Sequence, residues 1–157
     1  MGSYNKAPDF YVIKDTREQD GYYFSQYGNC LGMVEQKLDT GDYAVQGLED
    51  KVCIEELAIN LGQKKHAFLN EVDRMKEFPH KFLVLEFSLQ DLVDFPDKSR
   101  IPEKKKAFVK ITGKYMLKCL MEFQLHDGVH ILFCGNKHNA FLTVSSILKR
   151  VNEMYTV

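Results

Sequence analysis

Hydrophobic and polar positions near the start of the chain predict short strands. Phe10 to Lys14 is a β-branched and aromatic run that ends in a polar cluster, which predicts a strand that delivers side chains to its C-terminal end. Gly32 to Leu38 alternates apolar and polar residues, and the turn Thr40-Gly41-Asp42 leads into a short strand at Tyr43 to Val45. We expect these two segments to form a hairpin or meander. Lys51 to Glu55 predicts a further strand.

The rest of the chain alternates between helical and strand patterns. Glu56 to Gly62 follows the preceding strand without a turn signal and predicts a helix or its lead-in, and Gln63 to Phe78 has apolar residues at helical spacing. The remaining predicted elements are a strand at Phe82 to Phe87, a short helix and loop at Leu89 to Pro102, a long helix at Lys104 to His126, a strand at Val129 to Cys134 and a final helix at Lys137 to Tyr155. Together they predict an α/β fold with a mixed central β-sheet flanked by helices, in a single domain spanning residues 1–157.

Composition narrows the classes of protein that the chain fits. The four cysteines form no Cys-x-x-Cys pair and the five histidines show no metal-binding spacing, so we expect a reducing compartment and no zinc site. No apolar run approaches the roughly 18 residues that a membrane span needs. We therefore expect an intracellular protein without a membrane partner, cytoplasmic in a prokaryotic or viral setting and nuclear in a eukaryote. The net charge is only −1, so any attraction to phosphate must come from a local patch.

Four carboxylates lie at or near predicted strand ends: Asp15, Glu18, Asp42 and Glu55. Magnesium prefers hard oxygen ligands and keeps several waters, so two carboxylates and a substrate phosphate suffice for a site. Converging carboxylates repel one another unless a cation lies between them. Acidic residues are also common at strand ends and turns, so the spacing alone leaves both a metal site and an ordinary surface open.

The order of three motifs resembles a known family. Asp15-Thr16-Arg17-Glu18, Gly41-Asp42-Tyr43 and Ile54-Glu55 follow one another along the predicted strands. This order is similar to the nuclease domain of the XPF-type family of structure-specific DNA endonucleases, which carries D-x-R-E, G-D-Y and E-R-K on a restriction-endonuclease-like core. Later residues also fit the order expected for that family: Phe68, Glu71, Arg74, Met75, Leu83 to Glu86 and Ile111 to Lys114.

The resemblance implies a catalytic site with a divalent metal. Asp42 and Glu55 would be the principal ligands of Mg²⁺ or Mn²⁺, and Asp15 would line the same site. Arg17 and Glu18 would belong to the catalytic set by orienting that site, or would instead form a buried ion pair with each other. The metal polarises the phosphate and lowers the pKa of an attacking water.

The third motif departs from the family pattern, because Glu56 and Leu57 follow Glu55 where the family has Arg and Lys. We predict that this segment is shortened, and that the lysine which would stabilise developing charge on phosphate is missing. Glu56 would add negative charge near the site. Lys64 or Lys65 could substitute for the missing lysine if the helix folds back.

Two further features are candidate DNA contacts. Four lysines recur every four residues on the predicted long helix, as a possible phosphate-binding stripe or as a solvated helix face: Lys106, Lys110, Lys114 and Lys118. Tyr22 and Tyr23 are candidates for stacking on bases, with ordinary core or surface aromatics as the alternative.

The resemblance implies a metal-dependent endonuclease that hydrolyses phosphodiesters in branched or single-strand/double-strand junction DNA, without a helix-hairpin-helix module. The alternatives are a catalytically inactive DNA-binding or partner-binding module with the same fold, and a purely protein-interaction domain. The last helix has an apolar face that serves either core packing or contact with a homodimer or partner protein: Phe141, Val144, Leu148, Val151 and Tyr155.

Overall fold

The computed structural model describes residues 7–18, 21–58, 72–97, 101–106 and 112–155. In these ranges the strands are β1 (Phe10–Lys14), β2 (Cys30–Glu35), β3 (Tyr43–Val45), β4 (Val52–Leu57), β5 (His80–Leu85) and β6 (His130–Phe133). The helices are α1 (Leu89–Val93), α2 (Glu103–Lys106), α3 (Gly113–Asp127) and α4 (Lys137–Tyr155), and residues 72–75 are also helical. No helix in the described ranges has the length and apolar content needed to cross a bilayer.

The strands form one mixed six-stranded sheet in the order β2-β1-β3-β4-β5-β6. β1 runs parallel to β2, and β4, β5 and β6 run parallel to one another. β3 is antiparallel to both of its neighbours, β1 and β4. With helices on both sides of this sheet, the predicted α/β fold with a mixed central sheet is confirmed.

The predicted hairpin between the second and third strands is wrong. β1 lies between β2 and β3, and β2 runs parallel to β1 rather than folding back on β3. β1 has buried side chains at both Val12 and Ile13, so it fits an interior position with a neighbour on each edge. Alternation in a sequence shows that a segment is a half-buried strand, but it does not show which strand it pairs with. The strand itself also lies earlier than predicted, at Cys30–Glu35.

Each face of the sheet carries its own buried cluster. α4 packs on the first face, where it meets Ile54 and Val84, and α1, α3 and residues 72–75 cover the second face, against Cys53 and Leu83. β4 and β5 are therefore buried on both sides. The apolar face of α4 lies in the core of the first face through Ala140, Val144, Leu148 and Val151.

The long helix predicted at Lys104 to His126 is not continuous in the described residues. α3 begins at Gly113 after the N-cap Thr112, whose backbone is extended (φ −91°, ψ 157°) and whose hydroxyl accepts a hydrogen bond from the Tyr115 N–H, so no helix runs through Thr112. A Cβ at Gly113 would overlap the carbonyl oxygen of Leu92 in α1. Position 113 therefore requires a glycine, because any larger residue would overlap the α1 backbone.

Candidate functional site

The first candidate residue, Asp15, is held at the end of β1. Its buried carboxylate accepts a hydrogen bond from the Leu38 backbone N–H (2.8 Å) and forms an ion pair with Arg17 (2.8 Å). Arg17 also donates to the Leu38 carbonyl oxygen (2.7 Å). Burial opposes ionisation of Asp15, but these hydrogen bonds and the guanidinium charge outweigh it, so the pKa of Asp15 lies below its usual value. The pair joins the end of β1 to the segment that leads into β3.

Asp42 and Glu55 come together across two neighbouring strands. Tyr43 lies opposite Ile54 in the antiparallel register of β3 and β4, so the next position along places Asp42 opposite Glu55. The Asp42 carboxylate accepts a hydrogen bond from the backbone N–H of Glu56 (2.8 Å), and the Asp42 N–H donates to the Ile54 carbonyl oxygen (2.7 Å). The two predicted principal metal ligands are therefore neighbours.

Strand β4 directs its two consecutive glutamates to opposite faces of the sheet. Cys53 and Leu57 belong to the second cluster, and Glu55 shares their side because strand side chains alternate. Glu56 lies on the side of Ile54, in the first cluster. The prediction that Glu56 adds charge near Glu55 is therefore wrong, because the two side chains leave the strand in opposite directions.

The prediction of a helix that starts directly after Glu55 is also wrong, because β4 continues through Leu57. The two positions after Glu55 lie in the strand and carry Glu and Leu in place of Arg and Lys. The predicted shortening concerns the segment that follows, and residues 59–71 lie outside the described residues. Lys64 and Lys65 lie outside the described residues.

The carboxyl group of Glu56 meets two tyrosines and another glutamate on the first face. The Tyr43 hydroxyl donates to Glu56 (3.4 Å), and the Tyr22 hydroxyl donates to Glu86 (3.1 Å). The Tyr22 N–H in turn donates to the Tyr43 hydroxyl (2.7 Å), and the two rings stack with centroids 5.5 Å apart. We call Tyr22, Tyr43, Glu56 and Glu86 the tyrosine–carboxyl network.

Burial and neighbouring acids raise the pKa of three members of this network, Glu56, Tyr22 and Tyr43. Burial, the hydrogen bond and charge of Glu86, and the charge of Glu18 raise the pKa of Glu56 to about 9. Burial and the charge of Glu56 also raise the pKa of both Tyr22 and Tyr43. Glu56 is therefore neutral at pH 7, and Glu18, assigned from the motif to the catalytic set, lies beside it.

The partnership of Glu56 and Glu86 was not predicted from the sequence. One signal in the sequence could have found this pair, because side chains two residues apart on a strand share a face. Val84 is paired in register with Glu56, and Glu86 follows Val84 by two residues. That register became visible only once β4 and β5 were seen to be parallel neighbours.

The donor set at Asp42 and Glu55 fits a magnesium ion. Both ligands are hard oxygens, and magnesium commonly takes one or two carboxylates and completes its shell with water and substrate phosphate. Among the residues that the structure describes, no three or more His, Cys, Asp or Glu side chains are grouped as a metal site. The fit is therefore to a site with two carboxylates, and both Asp15 oxygens already have other partners.

The lysines predicted as DNA contacts do not form one stripe. Lys106, on α2, donates hydrogen bonds to the Asp97 carbonyl oxygen and to the Glu103 carboxylate. Lys114 and Lys118 instead lie exposed on α3. Lys110 lies outside the described residues. The two tyrosines predicted to stack on bases differ in burial. Tyr22 is buried in the first cluster, whereas Tyr23 is 75% exposed.

The mixed six-stranded sheet with flanking helices is the architecture of the restriction-endonuclease-like fold. The ERCC4 domain family model matches residues 14–146, and the chain belongs to that family of structure-specific DNA endonucleases, which confirms the XPF-type resemblance. No curated protein sequence matches the chain.

Two solved structures show the same fold. XPF from Aeropyrum pernix is 15% identical with a TM-score of 0.60, over 88% of this chain and 65% of that one. XPF from Aeropyrum pernix in complex with DNA is 15% identical with a TM-score of 0.61, over 92% of this chain and 66% of that one. The chain thus spans just under two thirds of the length of these structures.

Proposed function

We propose that this chain is a metal-dependent endonuclease that hydrolyses phosphodiesters in branched or junction DNA. The observation that carries the proposal is the placement of Asp42 and Glu55 at opposing positions on β3 and β4, in a chain of the ERCC4 domain family. A DNA complex among the structures with the same fold supports DNA as the substrate class.

Each residue has a distinct role in this proposal. Asp42 and Glu55 hold Mg²⁺ or Mn²⁺, which supplies Lewis-acid polarisation of the phosphate and an activated water. Asp15 lines the site. Together with Arg17 it fixes the Leu38 segment that leads to Asp42, since both side chains bond the Leu38 backbone.

A second candidate is an inactive DNA-binding module of the same fold, and Leu57 is the observation that favours it. Leu57 is two residues after Glu55 on the same side of β4, where the family motif has its lysine, and it packs against the second cluster. No cation on β4 is therefore available to offset the charge that develops on phosphate.

Cleavage of a labelled DNA fork at low salt tests these candidates. We expect cutting with Mg²⁺ or Mn²⁺ that stops with EDTA and in Asp42→Asn, and that persists in Glu77→Gln, a control at an exposed glutamate. Fork binding without cutting, unchanged by Asp42→Asn, would favour the inactive module. An absence of fork binding even at low salt would indicate a protein-interaction domain.

A further inference from the structure

We propose that the tyrosine–carboxyl network positions the Asp42 carboxylate for metal binding, with Tyr43 and Glu56 as positioning residues. The inference rests on the proposed function, because it takes Asp42 to be a metal ligand. It assigns a role to buried polar side chains on the first face that the chemistry on the second face does not use.

The network is a ring that crosses four parts of the chain, made of three hydrogen bonds and the two neighbouring carboxyl groups of Glu56 and Glu86. The Tyr22 N–H bonds the Tyr43 hydroxyl (2.7 Å), which donates to Glu56 (3.4 Å). The carboxyl group of Glu86, which raises the pKa of the neighbouring Glu56, accepts from the Tyr22 hydroxyl (3.1 Å). The ring thereby ties the loop before β2, β3, β4 and the end of β5 to one another.

Both residues that fix Asp42 belong to this ring. Tyr43 directly follows Asp42 in the chain, and the Glu56 backbone N–H donates to the Asp42 carboxylate (2.8 Å). Metal ligands need such outer partners, because a carboxylate that turns away from its productive orientation binds the ion less tightly. Holding Tyr43 and Glu56 in place therefore holds Asp42 from both sides.

The polar atoms of the ring are not explained by packing alone. Tyr22 and Tyr43 are 4% and 0% exposed, and phenylalanine would fill nearly the same volume without burying a hydroxyl. The loop also approaches the ring very closely, because a Cβ at Gly21 would lie 2.6 Å from the Tyr43 hydroxyl oxygen. The chain thus carries a glycine where the hydrogen bond from the Tyr22 N–H requires close contact.

Mn²⁺ affinity, measured by electron paramagnetic resonance of the free ion, tests the proposal without relying on cleavage. Removing an outer-shell partner typically weakens metal binding 10- to 100-fold, so we expect Tyr43→Phe to raise the Mn²⁺ dissociation constant about 10-fold. Fork cleavage by Tyr43→Phe should recover at high Mn²⁺, whereas cleavage by Asp42→Asn should not. Tyr27→Phe, which alters a tyrosine that is 84% exposed, is the matched control.

A second pair of variants, at Glu56, tests the proposal independently if Tyr43→Phe does not fold. Glu56→Gln keeps hydrogen-bonding atoms and should bind Mn²⁺ like the unaltered chain, while Glu56→Leu removes them and should bind it about 10-fold more weakly. Unchanged Mn²⁺ affinity in folded Tyr43→Phe and Glu56→Leu would overturn the positioning role if Asp42→Asn still lowers that affinity. Unchanged affinity in Asp42→Asn as well would instead overturn the metal site itself.

Discussion

The two sides of strand β4 hold adjacent glutamates in opposite electrostatic settings. Glu56 lies among tyrosines and other acids on the first face, and burial together with Glu86 raises its pKa to about 9. Glu55 lies on the second face, at the position opposite Asp42 and beside Leu57. A shift of one residue along a strand therefore separates a neutral structural carboxyl from a candidate metal ligand, because side chains alternate between the faces.

Asp15 is a third acid at the sheet, and unlike Glu56 it is both buried and ionised more readily than usual. Asp15 is as buried as the apolar residues of the core, yet the Leu38 N–H and the Arg17 guanidinium lower the pKa of its carboxyl group. Burial alone thus does not decide the charge of an acid in this protein. Burial raises the pKa of both acids. At Asp15 the Leu38 N–H and the Arg17 cation outweigh burial, whereas at Glu56 a second acid adds to it.

The largest effect is expected on the second face, where Leu57→Lys would place a cation beside Glu55. If the site is active but lacks this charge, the cleavage rate of a DNA fork should rise roughly 10²-fold, the size of one electrostatic contact in a transition state. Leu57→Met controls for the change in packing, and Ala58→Lys controls for added charge one residue further along the chain. A rate for Leu57→Lys no higher than that of Ala58→Lys would contradict the assigned orientation of Leu57.

Loss of the ionised acid at β1 should cost stability. Asp15→Asn breaks a charged hydrogen bond to Arg17, so the free energy of unfolding at pH 7 should fall by about 1–3 kcal/mol. Because the pKa of Asp15 is lowered by folding, this contribution is present above its usual pKa and disappears as the pH falls through the folded value. Urea unfolding at pH 7 and pH 3 measures this contribution, with Asp39→Asn at an exposed site as the control. An equal loss of stability at both pH values would count against the ion pair.

The Mn²⁺ affinity of Asp15→Asn separately tests the prediction that Asp15 lines the metal site.

The neutral acid on the first face should show the opposite dependence on pH. The pKa of Glu56 is raised by folding to about 9, so its stabilising contribution is complete at pH values below its ordinary pKa and is lost as the pH rises toward 9. Glu56→Gln removes this dependence and should be more stable than the unaltered chain at pH 7 by about 1–2 kcal/mol, after allowing for its partial exposure to solvent. In urea unfolding between pH 5 and 9, the stability gained by Glu56→Gln over the unaltered chain should grow with pH, and Glu77→Gln should show no such gain. A gain that does not grow with pH would mean that Glu56 is already ionised at pH 7.

The smallest expected effect concerns which face DNA approaches. Lys114 and Lys118 are exposed on α3, which covers the second face, whereas Lys149 is exposed on α4 over the first face. Each phosphate contact contributes close to one unit to the salt dependence of binding. The double change of Lys114 and Lys118 to Gln should lower the slope of log affinity against log salt by about 1–2. Lys149→Gln should leave the slope unchanged, and an equal effect of both variants would remove the distinction between the faces.

The sequence by itself was sufficient for the order of the motifs, the family, the α/β class and the final helix at Lys137 to Tyr155. These features follow from local patterns, because the apolar period reports which side of an element is buried. The pairing of β2, the break between α2 and α3, and the surroundings of Glu56 depend instead on segments far apart in the chain. Only the folded sheet buries Glu56 and brings Glu86 to it, and burial together with that second acid, rather than the residue type, sets its charge.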